Sequence, residues 1–99
     1  MNNLLLEITE KAYRDIESIT DYIAVDNKEA ARKMAVIFYK TFSSLREYPA
    51  LGTTRADLTE LDVRFWVVKK NYLIVYNVVG ATVRILRVLT AYQDICELI

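Results

Sequence analysis

The feature that most restricts this chain is a change of hydrophobic period at Tyr48-Pro49-Ala50-Leu51-Gly52. Upstream, Ala12, Ile16, Ile19 and Ile23 line one face of a helix, and so do Ala31, Ala35, Phe38, Phe42 and Leu45. Spacings of three and four residues are the signature of an amphipathic helix. Downstream, the apolar residues gather into short runs rich in Val, Ile, Tyr, Phe and Trp, which read as strands. The chain holds one Pro and two Gly, and the Pro and one Gly sit in this cluster. A helical half followed by a strand half, with one strong punctuation between them, predicts an α+β domain. Ninety-nine residues have room for a single domain, 1–99.

Leu4 to Ile8 read as an N-terminal strand, and Thr9 caps the helix after it, with Glu10 at its positive end. Asp26-Asn27 breaks the helical pattern, and Asp26 with Glu29 resembles a capping box for a second helix. Small Ala30, Ala31 and Ala35 allow the two helices to pack closely as an antiparallel hairpin. Val63–Val68, Tyr72–Val79 and Thr82–Leu89 form a three-stranded meander, turned at Lys69-Lys70-Asn71 and at Gly80-Ala81. The expected order is β-α-α-β-β-β with a short C-terminal segment: a helical hairpin packed on an antiparallel sheet. Tyr22, Tyr72 and Tyr76 lie on periodic faces and read as core, whereas Asp15 and Asp21 read as solvated helix positions. Phe65 and Trp66 read as core or partner-facing packing, with a stacking platform as the alternative.

Chemistry is narrowed by what the chain lacks. It has no histidine and one cysteine, so neither a zinc cluster nor Ser-His-Asp or Cys-His catalysis can be assembled, and no metal or cofactor is expected. Cys96, among Ile95, Leu98 and Ile99, reads as a small buried hydrophobe, and a lone cysteine fits a reducing compartment. No apolar run approaches the ~18 residues of a membrane helix, and MNNLLLEITEK does not read as a secretory signal. Thirteen basic residues balance thirteen acidic ones, so bulk attraction to phosphate does not organise the protein. The balance is uneven along the chain: residues 1–29 hold seven acidic and three basic side chains, residues 64–99 five basic and two acidic.

Several segments, taken in order, resemble the RelE/ParE family of bacterial toxins. Ala12-Tyr13-Arg14-Asp15-Ile16 through Ile19 and Tyr22-Ile23 is similar to the family's A-x-x-D-Φ-x-x-I-x-x-Y-I opening, where Φ is apolar. Ala30-Ala31 resembles the start of its second helix. Leu45, Pro49, Gly52, Arg55 and Leu58 resemble its L…P-x-x-G-x-x-R-x-L segment. Arg64 stands where an arginine opens the meander, Tyr72-Leu73-Ile74-Val75-Tyr76 resembles its Y-x-I-x-Y strand, and Arg87-Val88-Leu89 with Asp94 resembles its closing R-V-L-x-x-x-x-D.

The resemblance implies the toxin of a type II toxin–antitoxin pair, a plasmid-stabilisation or addiction system. Such toxins are cytoplasmic growth inhibitors, neutralised by a cognate antitoxin that wraps an extended or helical segment over helices and sheet. A homodimer or a toxin–antitoxin heterotetramer is an assembly it allows. RelE-type members cut mRNA on the ribosome; ParE-type members act on DNA gyrase. Cleavage by 2′-hydroxyl attack needs a base, a phosphate clamp and an acid. The residues available for that are Arg64 and Arg87, with Lys69 and Lys70 at the turn, as phosphate clamp, and Tyr92 as acid or stacking group, or more plainly as packing for the C-terminus. Arg64, Lys69, Lys70 and Arg87 are the candidate target-binding set, each also open to a plainer role in anchoring the sheet or solvating a turn. Thr90 and Tyr92-Gln93 depart from the family pattern where His or Tyr and paired arginines are common. That loss, with the neutral net charge, favours the ParE-like branch; the alternatives are a ribosome-dependent endoribonuclease and a decayed, non-toxic antitoxin-binding module.

Overall fold

A computed structural model describes residues 3–57 and 59–90 of the chain. The elements run β1 (Leu5–Ile8), α1 (Glu10–Asp26), α2 (Lys28–Glu47), β2 (Arg64–Val68), β3 (Tyr72–Val79) and β4 (Thr82–Thr90). The helical hairpin and the meander are as the periodicity predicts. The sheet differs in one respect: β1 joins it beside β4 and parallel to it, so the order is β1-β4-β3-β2 and the sheet is mixed. A parallel neighbour is possible because α1 and α2 supply the long crossover that parallel pairing requires. Cys96 and Tyr92 lie outside the described residues.

Each helix starts where its side chains satisfy the open N–H groups. Thr9 accepts from the Ala12 amide as N-cap of α1. The cap of α2 is Asn27, not Asp26: its side chain accepts from the Ala30 amide at 3.0 Å. Helix α1 continues through Asp26, and Asn27 takes the extended conformation an N-cap needs, which Asp26 inside the helix cannot.

The core lies between the hairpin and one face of the sheet. Ala12 and Ile16 from α1, Met34, Phe38, Phe42 and Leu45 from α2, and Ile74, Tyr76, Val83, Ile85 and Val88 from the strands are buried together. Phe38 meets Tyr72 edge to face, centroids 5.3 Å apart. The opposite face carries a smaller cluster of Val63, Phe65, Val75 and Leu89. Ile85 and Val88 are three residues apart yet share the helix-facing core, which a regular strand forbids. A β-bulge resolves it: Tyr76 pairs with Ile85 but Val75 with Arg87, so Leu86 is an extra residue and the phase of β4 shifts.

Tyr22 does not join the core. It is 82% exposed, because it sits to one side of the Ala12-Ile16-Ile19-Ile23 stripe. Asp15, expected in solvent, has 15% of its side chain exposed. None of the described helices is long and apolar enough to cross a membrane.

Both turns of the meander use left-handed backbone. Gly80 at φ 58° opens the two-residue connection from Val79 to Thr82, a role suited to glycine. At the β2–β3 tip, Lys69 and Lys70 take φ 52° and 64°, a region that L side chains enter at a cost of roughly 1–2 kcal/mol each. Glycine would relieve that cost but lose about 0.5–1 kcal/mol to its own freedom in the unfolded chain. A Lys69→Gly, Lys70→Gly variant should therefore be more stable by about 1 kcal/mol in urea unfolding; a lower midpoint would contradict the left-handed turn.

Candidate functional site

The candidate arginines are where the resemblance put them in the sheet, but each is bound within the fold. Arg87 grips Asp15 of α1 with two parallel bonds, Nε to Oδ2 at 2.7 Å and Nη2 to Oδ1 at 2.8 Å. The same Oδ2 accepts from the backbone N–H of Val88 at 2.9 Å. The arginine side chain is 18% exposed. Its hydrogen bond to Asp15 raises the guanidinium pKa further, so it stays charged at any pH the fold survives. β1 ends at Ile8, level with Ile85, so the rest of the β4 edge would be open. Thr9 closes the first part, its hydroxyl donating to Ile85 O and Leu86 O at 2.8 and 3.1 Å, and Asp15 closes the next. The bulge at Leu86 is the point at which strand cover passes to helix cover.

Arg64 belongs to a second internal contact. Its Nη1 donates to Gly52 O at 2.7 Å. The Gly52 N–H donates to the Tyr76 hydroxyl at 2.7 Å, and that hydroxyl donates to Pro49 O at 2.7 Å. Gly52 is required here for space: a Cβ would stand 2.5 Å from the tyrosine oxygen. The Pro49–Gly52 turn is thereby fastened to the sheet, and Thr53 continues along the β2 edge by exchanging backbone bonds with Phe65. Burial pushes the Tyr76 pKa up, partly offset by the Gly52 N–H and the Arg64 charge.

Arg64 pairs in register with Tyr76, and Arg87 with Val75, its neighbour on β3. Successive strand residues face opposite sides, so the two arginines form no shared clamp. Near Arg87 a cleft is lined by Lys11, Asp62, Asn77 and Arg84 among others. Arg84 there is paired with Glu7, and Asn77 Oδ1 is a buried acceptor without a partner among the described residues. The cleft mixes charges of both signs and offers no concentrated positive surface for phosphate.

Lys69 and Lys70 are different. They are exposed at the hairpin tip, and neither forms an ion pair among the described residues. Arg64 is five residues from Lys69, roughly 16 Å along a strand, so tip and arginine are separate sites. Beside the tip lies a cleft of about 510 Å³ lined by Ser18, Ile19 and Tyr22 of α1 with Asn71, Tyr72 and Thr90. Phe65 is buried; Trp66 is half-buried, in a groove between α2 and β2 with Ile37, Lys40 and Leu51. Sequence reasoning missed Asp15 because an acidic residue beside a helical stripe reads as solvated. The signal available was Arg87, which interrupts the apolar alternation Val83, Ile85, Leu89 and needs a counter-charge.

Two consequences are measurable. Arg87→Met leaves Asp15 half-satisfied and should cost about 3 kcal/mol, as should Asp15→Ala, with the double variant costing far less than the sum; additivity in urea unfolding would deny the clamp. Tyr76→Phe orphans the Gly52 amide and should cost about 2 kcal/mol at neutral pH. Tyr76 is neutral when folded and ionises in the unfolded chain near pH ~10, so wild-type stability should fall as pH rises above that value and through the higher folded pKa. The Phe variant should show a shallower alkaline decline; an identical slope would mean that the Tyr76 phenol does not ionise on unfolding.

Three comparisons place the molecule among known proteins. No curated protein sequence matches it significantly. A solved structure of the chromosomal ParDE TA system from P. aeruginosa is similar, with TM-score 0.73 and 24% identity over 88% of this chain and 95% of that one; at that identity the likeness speaks for the fold. The family model described as the ParE toxin of the type II toxin–antitoxin system parDE matches residues 6–95. With nearly the whole chain matched, the protein belongs to the ParE toxin family of type II toxin–antitoxin systems.

Proposed function

We propose that this chain is the growth-inhibiting member of a type II pair that stabilises the replicon carrying it, that it works in the cytoplasm under the control of a cognate antitoxin, and that its target is DNA gyrase rather than ribosome-bound message. The observation that carries the choice is the internal use of Arg64 and Arg87. A ribonuclease needs guanidinium groups aimed at a scissile phosphate. Here one is held by a carboxylate and the other by a backbone carbonyl, on opposite faces of the sheet. Withdrawing either would leave a partly buried partner unsatisfied.

The antitoxin's place is suggested by the groove along α2. Ile37, Leu51 and Trp66 make it apolar, Lys33 and Lys40 stand on its rim, and exposed Val36 extends it. The adjoining β2 edge is covered at Phe65 by Thr53; beyond that bridge no described strand pairs with it, and Val67 is 59% exposed. An acidic, amphipathic segment suits such a surface, its backbone extending the sheet and its carboxylates meeting the lysines.

The test sets two assays side by side. Purified toxin should inhibit supercoiling of relaxed plasmid by purified gyrase, and should leave ribosome-bound mRNA intact. Cleaved message with unaffected supercoiling would refute the gyrase reading and restore the endoribonuclease; failure in both assays, with no growth arrest on induction, would indicate a decayed binding module.

A further inference from the structure

We infer that the surface with which this toxin engages its target is the β2–β3 hairpin tip together with the Tyr22–Tyr72 cleft, and that it receives an acidic protein loop carrying one apolar or aromatic anchor. The inference rests on the proposed reading of the chain as a toxin that poisons a protein machine, and names the site by which it would do so.

Three independent observations meet at this end of the sheet. Lys69 and Lys70 hold consecutive left-handed conformations, where Gly or Asn would be the undemanding choice, while the neighbouring Asn71 does not take a positive φ. Strain kept in a short exposed turn points to a use for the side chains it presents. The lysines are also exposed cations without an ion-pair partner among the described residues, a state they share with Lys11, Lys28, Lys33 and Lys40, whereas Arg14, Arg32, Arg55, Arg84 and Arg87 are each paired. Finally, Tyr22 is an aromatic on α1 with 82% of its surface in solvent, and it walls a cleft that also takes in Asn71 at the tip. Cations beside an open, partly aromatic cleft make a two-part receptor: the charges steer and orient an acidic segment, and the cleft buries its anchor.

The same geometry disfavours a nucleic acid. Exposed Asp21 is next to Tyr22 on α1, and exposed Glu17 lies one turn before Asp21, so a continuous polyanion laid from the tip past the cleft and over α1 would meet carboxylates. A short acidic loop needs only the tip. The net charge of zero agrees with a local patch rather than a phosphate-tracking surface.

Three variants separate charge from strain. Lys69→Gly, Lys70→Gly removes both charges while easing the backbone. Lys69→Arg, Lys70→Arg keeps both charges and the strain. Tyr22→Ala opens the cleft without touching the core. Each is induced in cells without antitoxin, its melting temperature is measured, and its inhibition of purified gyrase is titrated at low and moderate salt beside binding to duplex DNA alone. The glycine variant should melt no lower than wild type, yet lose growth arrest and need about tenfold or more protein to inhibit gyrase. Tyr22→Ala should show the same loss, and the arginine pair should retain wild-type arrest. A glycine variant that arrests growth as wild type does would overturn the assignment. So would wild-type binding to duplex DNA alone that the glycine substitutions abolish, since the ligand would then be nucleic acid. A wild-type chain that does not arrest growth sinks the toxin reading itself, and the tip assignment with it.

Discussion

The arrangement depends on how the open edge of β4 is covered. β1 is four residues long and β4 nine, so parallel pairing leaves the second half of β4 with backbone groups facing outward. Unpaired edge groups are a liability unless something satisfies them. Here the chain turns at Thr9 into α1, and Asp15, about two turns further on, reaches the Val88 amide and binds Arg87 at once. One carboxylate completes the sheet, fixes the helix against it and neutralises an arginine that has 18% of its side chain exposed. The bulge at Leu86 is part of the same device, because it returns Val88 to the helix-facing core.

That solution narrows the chemistry open to the sheet. An arginine committed to a bidentate carboxylate pair has its strongest donors occupied, and freeing it means burying an uncompensated charge. Arg64 is tied in the same sense, since its bond to Gly52 O belongs with the Tyr76 bonds that fasten the Pro49–Gly52 turn. The residues that most resembled a phosphate clamp hold the two halves of the molecule together. Among the described residues, surfaces left for contact with other molecules lie at the periphery and include the hairpin tip, the groove beside Trp66 and exposed Tyr22 of α1.

Much of the fold was legible because it follows from spacing. The two helical stripes, the break at Asp26-Asn27 and the three strand runs all appear at nearly their predicted bounds. What was not legible depended on contacts distant in sequence. Asp15 and Arg87 are 72 residues apart, and nothing local separates a carboxylate bound for a strand edge from one bound for water. Tyr22 was misjudged for a geometric reason: a residue beside a helical stripe can share its period and still miss the sheet. The parallel placement of β1 could not be read from a short apolar run, and the Asn27 cap was hidden by an adjacent aspartate of similar propensity. Of the site, the lysines of the tip were recognisable as a turn, but their left-handed backbone was not, since lysine, unlike Gly or Asn, does not signal that conformation.

On the proposed reading, β2 links neutralisation to activity. The groove suited to an antitoxin runs beside Trp66 and the open edge at Val67, and the tip lysines follow directly after Val68. A segment paired with that edge advances roughly 3.3 Å per residue, so a few further residues carry its acidic side chains to Lys69 and Lys70. The segment that holds the toxin would then occupy the same cations the target needs, and inhibition would require no change of shape in the toxin. Direct competition of this kind is compatible with the clamped frame, in which Asp15, Arg87, Arg64 and Tyr76 leave α1, the Pro49–Gly52 turn and the sheet little freedom to move relative to one another.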